Sequence, residues 1–201
     1  MKEEVRMGSD EQVENNNAFR ISDSPNSNPQ KGLTIWFTGL SASGKSTLAY
    51  ALEGSLKKAG KLCCVIDGDQ IRQGLNRDLG YSAADRQENI RRVAEMARVM
   101  NDAGLIVICA LISPMIADRA MAKAIIGHSS FIEVYVSTPL AVCEARDPKG
   151  LYLKARSGIL MDFTGVSSAY EVPINPDLQI DTSVDTLDRS LFNINSLILN
   201  I

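Results

Sequence analysis

The fold of this 201-residue chain is decided by the stretch Gly39-Leu40-Ser41-Ala42-Ser43-Gly44-Lys45-Ser46. The stretch matches the phosphate-binding pattern G-x-x-x-x-G-K-[ST] at every fixed position. The apolar, β-branched run 33–38 before it predicts a buried strand, and the run 47–52 after it has a helical pattern. A strand, a glycine-bounded loop and a helix N-terminus together surround an anion with backbone N–H groups. The sequence therefore predicts a site for the phosphates of a nucleoside triphosphate.

Individual residues of this loop have separate expected roles. Gly39 and Gly44 permit backbone angles and close approaches that a Cβ atom would obstruct. We expect Lys45 to reach the β- and γ-phosphates, and the hydroxyl of Ser46 to ligate Mg²⁺. The predicted phosphate site comprises the whole loop and the next residue, Thr47.

Composition excludes several classes of function. An apolar fraction of 45% and a charged fraction of 22% are typical of a soluble globular protein. The net charge of −3 argues against a general nucleic-acid binder, which would normally carry a basic face. The sequence contains no apolar run long enough for a membrane span, and its first residues lack the apolar region of a secretory signal. We expect a cytoplasmic protein, with reduced thiols at its four cysteines and no membrane or nucleic-acid partner.

The chain divides into a tail and one domain. Residues 1–30 hold six acidic and three basic side chains and are rich in Asn and Ser. This composition cannot bury enough apolar surface to offset the entropy of ordering, so we expect a polar, disordered tail. A short helix that docks on the domain is the alternative. Residues 31–201 form the predicted domain.

From residue 33 onward, strand patterns alternate with helical patterns. A long helix is predicted from about Ser82 and a last helix near 187–199. Further apolar runs predict four more strands, at 62–66, 105–110, 131–136 and 178–180. Nearly continuous apolar strands that alternate with helices indicate a parallel sheet covered on both faces. The predicted fold is α/β, a three-layer α/β/α arrangement of the P-loop NTPase type with a mostly five-stranded parallel sheet.

Polar residues follow two of these strands. Asp67-Gly68-Asp69 ends the second strand and Ile112-Ser113-Pro114 follows the third. The carboxyl ends of parallel strands share one edge of the sheet, so these residues are expected beside the phosphate loop. A carboxylate there can act as a base or bind Mg²⁺, although Asp and Gly are also common in turns. Ser113 before Pro114 is also typical of a helix N-cap followed by proline at the first position.

Several longer motifs resemble the adenylylsulfate kinase family, and the resemblance covers about residues 31–182. The motifs, in chain order, are Asp67-Gly68-Asp69-x-Ile71-Arg72-x-Gly74-Leu75-Asn76, Asp85-Arg86-x-Glu88-Asn89-Ile90-Arg91-Arg92, Ile112-Ser113-Pro114, Arg146-Asp147-Pro148-Lys149-Gly150-Leu151-Tyr152 and Phe163-Thr164-Gly165. The resemblance implies that MgATP phosphorylates the ribose 3′-hydroxyl of adenosine 5′-phosphosulfate (APS). The product would be 3′-phosphoadenosine 5′-phosphosulfate (PAPS), in the assimilation of sulfate.

The resemblance also suggests roles for individual residues. We interpret Asp69 as the base and Asp67 as a Mg²⁺ ligand through water, while the reversed assignment stays open. In the family, a serine at the position of Ser113 is described as a phosphorylated intermediate; we favour the N-cap interpretation and keep Ser113 as a site residue. The residues that match positions contacting APS are Arg72, Tyr81, Arg86, Asn89, Ile112 and Phe163, of which the two aromatic rings would sandwich the adenine.

A lid is expected over residues 148–166, with Arg146 and Lys149 facing the phosphates. A closing lid excludes water and so favours transfer to the sugar over hydrolysis of ATP. The resemblance further implies a homodimer and a working association with ATP sulfurylase.

Two other functions stay open at this point. The chain could be another small-molecule kinase of the same fold, such as a nucleoside monophosphate, gluconate or shikimate kinase. It could also be a nucleotide-binding regulator without catalysis. The intact Lys45, Ser46, Asp67 and Asp69 count against the regulator, and the residues matched to APS contacts count against the other kinases.

Overall fold

The computed structural model describes residues 30–199 and contains one five-stranded sheet. All strand pairs in it are parallel, and the strand order is β2-β3-β1-β4-β5. The strands are β1 (Leu33–Thr38), β2 (Cys63–Asp67), β3 (Ile106–Ala110), β4 (Phe131–Val136) and β5 (Leu178–Ile180). The parallel five-stranded sheet predicted from the sequence is confirmed, and each strand begins within one residue of its predicted start.

Seven α-helices connect and cover these strands in the described part of the chain. They are α1 (Lys45–Lys58), α2 (Gly68–Ile71), α3 (Ala83–Asp102), α4 (Ile116–Ile126), α5 (Leu140–Arg146), α6 (Leu151–Arg156) and α7 (Leu187–Leu199). The predicted start of the long helix α3 is confirmed, because the Ser82 hydroxyl accepts a hydrogen bond from the backbone N–H of Asp85 at 3.1 Å.

The core lies in two layers, one on each face of the sheet. Along β1, Ile35 and Phe37 point to the face covered by α1 and α7, while Trp36 points to the face covered by α3 and α4. Successive side chains of a strand alternate between faces, so a continuous apolar strand supplies both layers at once. The three-layer α/β/α fold is therefore confirmed.

The last residue of the predicted tail, Gln30, contacts the predicted domain. Gln30, which we assigned to the tail, donates from Nε2 to the carbonyl oxygens of Leu62 at 2.8 Å and Gly104 at 2.7 Å. These bonds tie Gln30 to the start of the sheet. The rest of the predicted tail lies outside the described residues.

Two further features bear on the predicted environment of the protein. Within residues 30–199, no helix combines the length and the apolar character that a membrane crossing requires. Cys63, Cys64, Cys109 and Cys143 are all free thiols.

Candidate active site

A cavity of about 810 Å³ opens at the carboxyl ends of the central strands. The phosphate loop after β1, the residues after β2 and β3, the start of α3 and the segment around α6 all contribute to its wall. Its volume lies within the range typical of small-molecule sites. The topology thus brings together the regions that the sequence analysis predicted to share one edge of the sheet.

Close contacts with neighbouring segments of the chain hold the phosphate loop in place. Gly39 has a φ of +148°, and a Cβ atom there would lie 2.5 Å from the carbonyl oxygen of Val136. Only glycine fits this position without moving β4. The carbonyl oxygen of Ser43 accepts hydrogen bonds from the hydroxyls of Thr138 at 2.9 Å and Thr182 at 2.8 Å. The loop is therefore anchored to the ends of β4 and β5.

Lys45 is a buried cation at the first position of α1. Its Nζ donates to the carbonyl oxygen of Leu40 at 2.6 Å. Burial lowers the pKa of Lys45 to about 8, although Cys143, Asp69 and Asp67 partly oppose this effect. An anionic phosphate in the loop would supply the opposite charge that this ammonium group needs.

Ser46 and Asp67 form the oxygen pair expected for a magnesium site. The Ser46 hydroxyl donates to Asp67 Oδ2 at 2.6 Å, and Asp67 Oδ1 accepts from the backbone N–H of Asp69 at 2.9 Å. Mg²⁺ favours such hard oxygen donors and commonly takes its other ligands from phosphates and water. In residues 30–199, no three His, Cys, Asp or Glu side chains cluster to hold a metal unaided. The residues present therefore fit a Mg²⁺ ion shared with a nucleotide.

The second carboxylate, Asp69, differs from Asp67 in exposure and partners. The Asp69 side chain is 64% exposed, whereas Asp67 is 8% exposed. Asp69 forms an ion pair with Lys149 of the lid, and this hydrogen bond raises the pKa of Lys149. The lid thus contacts the site directly through a charged residue.

The predicted lid is an ordered layer over the phosphate loop. Tyr152, Ala155 and Phe163 form a small apolar cluster with Cys143, and Leu40 of the loop packs against this cluster. The rings of Tyr152 and Phe163 meet edge to face, with 5.0 Å between their centroids. The Tyr152 hydroxyl donates to the carbonyl oxygen of Ser41 at 3.0 Å. These contacts couple the lid to the loop.

Arg146 closes the other side of the loop. Its guanidinium group donates to the hydroxyl of Thr182 at 2.7 Å and to the Thr182 carbonyl oxygen at 2.9 Å. It also lines the cavity, as expected for a residue near the phosphates.

Arg86 holds the lid with the same donors that we expected to bind APS. Its Nη1 donates to the hydroxyl of Thr164 at 2.6 Å, its Nη2 to the carbonyl oxygen of Asp162, and its Nε to the carbonyl oxygen of Tyr81 at 2.8 Å. Arg86 nevertheless lines the cavity, so it connects α3, the lid and the predicted APS site.

Arg72 and Tyr81 form a stacked pair at the rim of the cavity. The guanidinium carbon of Arg72 lies 4.5 Å from the centroid of the Tyr81 ring, and its Nη1 donates to the carbonyl oxygen of Gly80 at 2.8 Å. Tyr81 is 61% exposed. Its ring is therefore available at the surface for stacking with an adenine, while Phe163 is buried at the cavity wall.

Ser113 is not the N-cap of a helix, and that interpretation was wrong. Helix α4 begins at Ile116 with Met115 as its N-cap, and Ser113 has a φ of +37°. The Ser113 hydroxyl accepts from Trp36 Nε1 at 3.1 Å, and its carbonyl oxygen accepts from Arg119 Nη1 at 2.7 Å. The bond from Trp36 is long-range, whereas the bond from Arg119 is local, and together they fix the turn after β3 in place of a capped helix start.

Most of the predicted site residues meet at this cavity. Three residues of the phosphate loop, Gly39, Leu40 and Ser43, do not line the cavity. The predicted residues in its wall are Ser41, Ala42, Gly44, Lys45, Ser46, Thr47, Asp67, Asp69, Arg72, Tyr81, Arg86, Asn89, Ile112, Ser113, Arg146, Lys149 and Phe163.

Two threonines are among the cavity-lining residues that sequence reasoning missed. Thr182 follows β5 just as Asp67 ends β2, so its position at a strand end could have identified it. Thr164 lies inside a motif that the sequence analysis quoted, yet nothing in the sequence indicates its bond to Arg86.

Comparison with known protein families identifies a family that the chain matches. Residues 31–181 match the family described as adenylylsulphate kinase. The chain belongs to this family. The match covers most of the chain, so the family, the P-loop fold and the kinase class predicted from the sequence are confirmed.

Individual adenylylsulphate kinases are similar to this chain over most of their length. The adenylyl-sulfate kinase of Shewanella amazonensis is 55% identical over 161 residues, which are 80% of this chain and 81% of that protein. The corresponding enzyme of Bacteroides fragilis is 50% identical over 193 residues, covering 92% of this chain and 96% of the relative. The APS kinase of Mycobacterium tuberculosis, solved in complex with AMPPNP and APS, has a TM-score of 0.81 and 45% identity over 85% of this chain and 99% of its own.

Proposed function

We propose that this protein transfers the γ-phosphoryl group of ATP to the ribose 3′-hydroxyl of APS, which yields PAPS and ADP. One observation carries the proposal: a single cavity joins the phosphate loop, the exposed carboxylate of Asp69 and the matched residues on α3. A phosphoryl donor and a sugar acceptor can therefore meet with a base between them. Family membership over residues 31–181 agrees with this activity.

Asp69 is the base in this proposal. Both oxygens of Asp67 already accept hydrogen bonds, from Ser46 and from the backbone of Asp69. Among residues 30–199, Asp69 has only the lid lysine as a side-chain partner, so its carboxylate can turn to an acceptor hydroxyl. It takes the 3′-hydroxyl proton while the oxygen forms a bond to the γ-phosphorus. The bond from that phosphorus to the β,γ-bridging oxygen breaks, and ADP leaves.

Charge stabilisation comes from the loop and from the lid. The buried Lys45 and the backbone N–H groups of the loop bind the phosphates, and Arg146 adds a cation at the loop edge. Ser46 and Asp67 would hold Mg²⁺, which when bound neutralises charge on the phosphate oxygens. Ile112 and Ser113 line the acceptor side of the cavity, and the buried hydroxyl of Ser113 supports the shape of that wall.

The lid has a separate task, which is to keep water from the γ-phosphate. Its apolar cluster packs on the loop, and Lys149 reaches across to Asp69. Lid closure therefore brings a cation to the reacting groups and excludes water in one movement. The homodimer, the association with ATP sulfurylase and the cytoplasmic location stay predictions.

The test is to incubate the protein with MgATP and APS, and to follow ADP by a coupled assay and PAPS by chromatography. Gluconate, shikimate and AMP serve as parallel acceptors. We expect PAPS only with APS, and a fall in kcat of about 10²–10⁴-fold in Asp69→Asn, the range typical of a lost general base. Asp102→Asn, an exposed aspartate at the far end of α3, is the matched control and should keep full activity.

One result would contradict the proposed reaction, and another would contradict only the role of Asp69. Turnover of a parallel acceptor without PAPS would assign the site to another kinase reaction. Undiminished PAPS formation by Asp69→Asn would remove Asp69 as the base while leaving the reaction itself in place.

A further inference from the structure

Two buried asparagines meet behind the wall of the cavity. Asn89 lies on α3, is nearly buried and lines the cavity, while Asn76 lies in the turns after α2 and is fully buried. The Nδ2 group of Asn76 donates to Asn89 Oδ1 at 2.9 Å. The contact therefore links a residue outside the cavity to a residue in its wall.

This bond decides which edge of the Asn89 carboxamide remains available. A carboxamide offers one oxygen acceptor and one NH₂ donor, on opposite edges. Asn76 occupies the oxygen, so the Nδ2 group of Asn89 is the free edge, and no residue in 30–199 accepts from it. The cavity wall thus presents a hydrogen-bond donor at this place.

Asn76 is held in a way that favours this single orientation. Its backbone N–H donates to the carbonyl oxygen of Ile71 at 2.9 Å, and its own carbonyl oxygen accepts from Leu79 at 3.1 Å. Its side-chain oxygen is buried without a partner among the described residues. A buried unpaired oxygen is unfavourable, and an apolar side chain of similar size would avoid it. The asparagine is therefore poorly explained by packing alone.

We infer that Asn76 is a positioning residue for the acceptor substrate: it turns the Nδ2 group of Asn89 toward the cavity, where it donates to an acceptor atom of APS. The inference rests on the proposed function, because APS is the ligand that must occupy this part of the cavity. The atoms of APS that can accept this bond are its sulfate, phosphate and ribose oxygens and its adenine ring nitrogens. A reversed carboxamide would present an oxygen to the same atoms and repel them.

The test is a double-mutant cycle on the KM for APS. Asn76→Leu removes the donor with little change in volume, and Asn89→Ala removes the carboxamide that it orients. We expect Asn76→Leu to raise the KM for APS about three- to tenfold, as typical for one lost hydrogen bond, and to leave the KM for ATP unchanged. In the Asn89→Ala background, the same substitution should cause no further increase, because its target is absent.

Asn101→Leu is a matched control on the same helix. Asn101 is also buried, donates from Nδ2 to the hydroxyl of Thr34 at 2.8 Å, and has a side-chain oxygen with no partner within residues 30–199. It lies at the opposite end of α3 from the cavity. We expect this variant to lose stability in thermal denaturation while the KM for APS stays at the wild-type value.

The outcomes separate this inference from the proposed function. If the wild type forms PAPS and Asn76→Leu has an unchanged KM for APS, only the inference is overturned. The same holds if the increases in KM caused by Asn76→Leu and by Asn89→Ala multiply in the double variant. If the wild type forms no PAPS, both fail. Should Asn76→Leu not fold, Asn76→Ser is the substitute, because its hydroxyl is too short to reach Asn89 and the same increase in KM is expected.

Discussion

At the scale of single residues, Lys45 combines a charge with an environment that disfavours it. Burial lowers its pKa to about 8, so above pH 8 most of the free protein carries a neutral amine at this position. A bound triphosphate favours the charged form of Lys45, because an opposite charge next to an amine raises the pKa of that amine. Nucleotide binding and protonation of Lys45 are therefore linked.

This linkage predicts that the protein takes up protons when it binds ATP above pH 8. The uptake should be largest at pH values between the pKa of free Lys45, about 8, and its higher pKa in the ATP complex, and the affinity for ATP should fall over the same range. Titration calorimetry in buffers with different ionisation enthalpies measures this uptake directly. Lys45→Arg should lose it, since a guanidinium group stays charged throughout.

Lys149→Met provides the comparison for that experiment. The pKa of Lys149 is raised by its hydrogen bond to Asp69, so it is already protonated at pH 8 to 9 and should contribute nothing. The proton uptake should survive in this variant. An ATP affinity independent of pH between 7 and 9.5 in the wild type would show that Lys45 keeps its charge in the free protein.

Sequence reasoning predicted which residues form the site better than it predicted their partners. The phosphate loop and the strand-end carboxylates were found because motif spacing and strand position are local features. Arg86 binds Asp162 and Thr164, and Ser113 binds Trp36, and all three partners are distant in the chain. Such contacts depend on the assembled fold, so the sequence does not reveal them.

At the scale of elements, the lid depends on its attachment to α3. Arg86 binds both the carbonyl oxygen of Asp162 and the hydroxyl of Thr164, which is almost fully buried. Thr164→Val keeps the shape of the side chain but removes the acceptor. A hydrogen bond to a charged group is among the stronger single contacts in a protein, so the closed lid should become less populated.

We therefore expect Thr164→Val to uncouple ATP hydrolysis from transfer. The ratio of ADP to PAPS formed should rise above the wild-type ratio, because an open lid admits water to the γ-phosphate. Trypsin should also cleave faster after Lys154 and Arg156 in the lid helix α6. Both effects follow from one loosened contact and should appear together.

Thr34→Val is the matched control for the lid. Thr34 is a buried threonine whose hydroxyl also accepts one hydrogen bond, from Asn101 at 2.8 Å, but it lies at the amino end of β1. It should lose stability without any change in the ADP-to-PAPS ratio. An equal rise in the ADP-to-PAPS ratio in both variants would mean that general destabilisation opens the lid, and that the Arg86 contact has no special role.

Helix α4 shows why local patterns fail where long-range bonds compete. Ser113-Pro114 has the residues of a capped helix start, yet α4 begins two residues after the proline. Arg119 on the second turn of the helix reaches back to the carbonyl oxygen of Ser113, and the Thr38 hydroxyl contacts Ser113 from β1. The turn is fixed by these bonds, and it takes the place of a cap that is typically worth about 1 kcal/mol.

At the scale of the whole molecule, the same alternation that builds the core also places the site. The strands supply mainly apolar side chains to both faces, so most of the polar site residues follow the ends of the strands. This logic is visible in the sequence, which is why the fold class and the position of the cavity could be predicted. The strand order could not, because parallel strands of similar apolar composition carry no signal for their neighbours.

The last helix, α7, completes one of the two core layers. Mutations on its buried face and on its exposed face should change the free energy of unfolding by different amounts. Ile194 is fully buried against the α1 face of the sheet, whereas Phe192, two residues earlier, is 70% exposed. Ile194→Ala should lower the free energy of unfolding by about 2–5 kcal/mol, because it removes buried methyl groups and leaves a cavity. Phe192→Ala should change it by about 0.5 kcal/mol or less, as usual for surface positions. Urea denaturation measures both values. Equal losses in the two variants would mean that Phe192 is covered in solution, since the larger side chain can only matter if something packs against it.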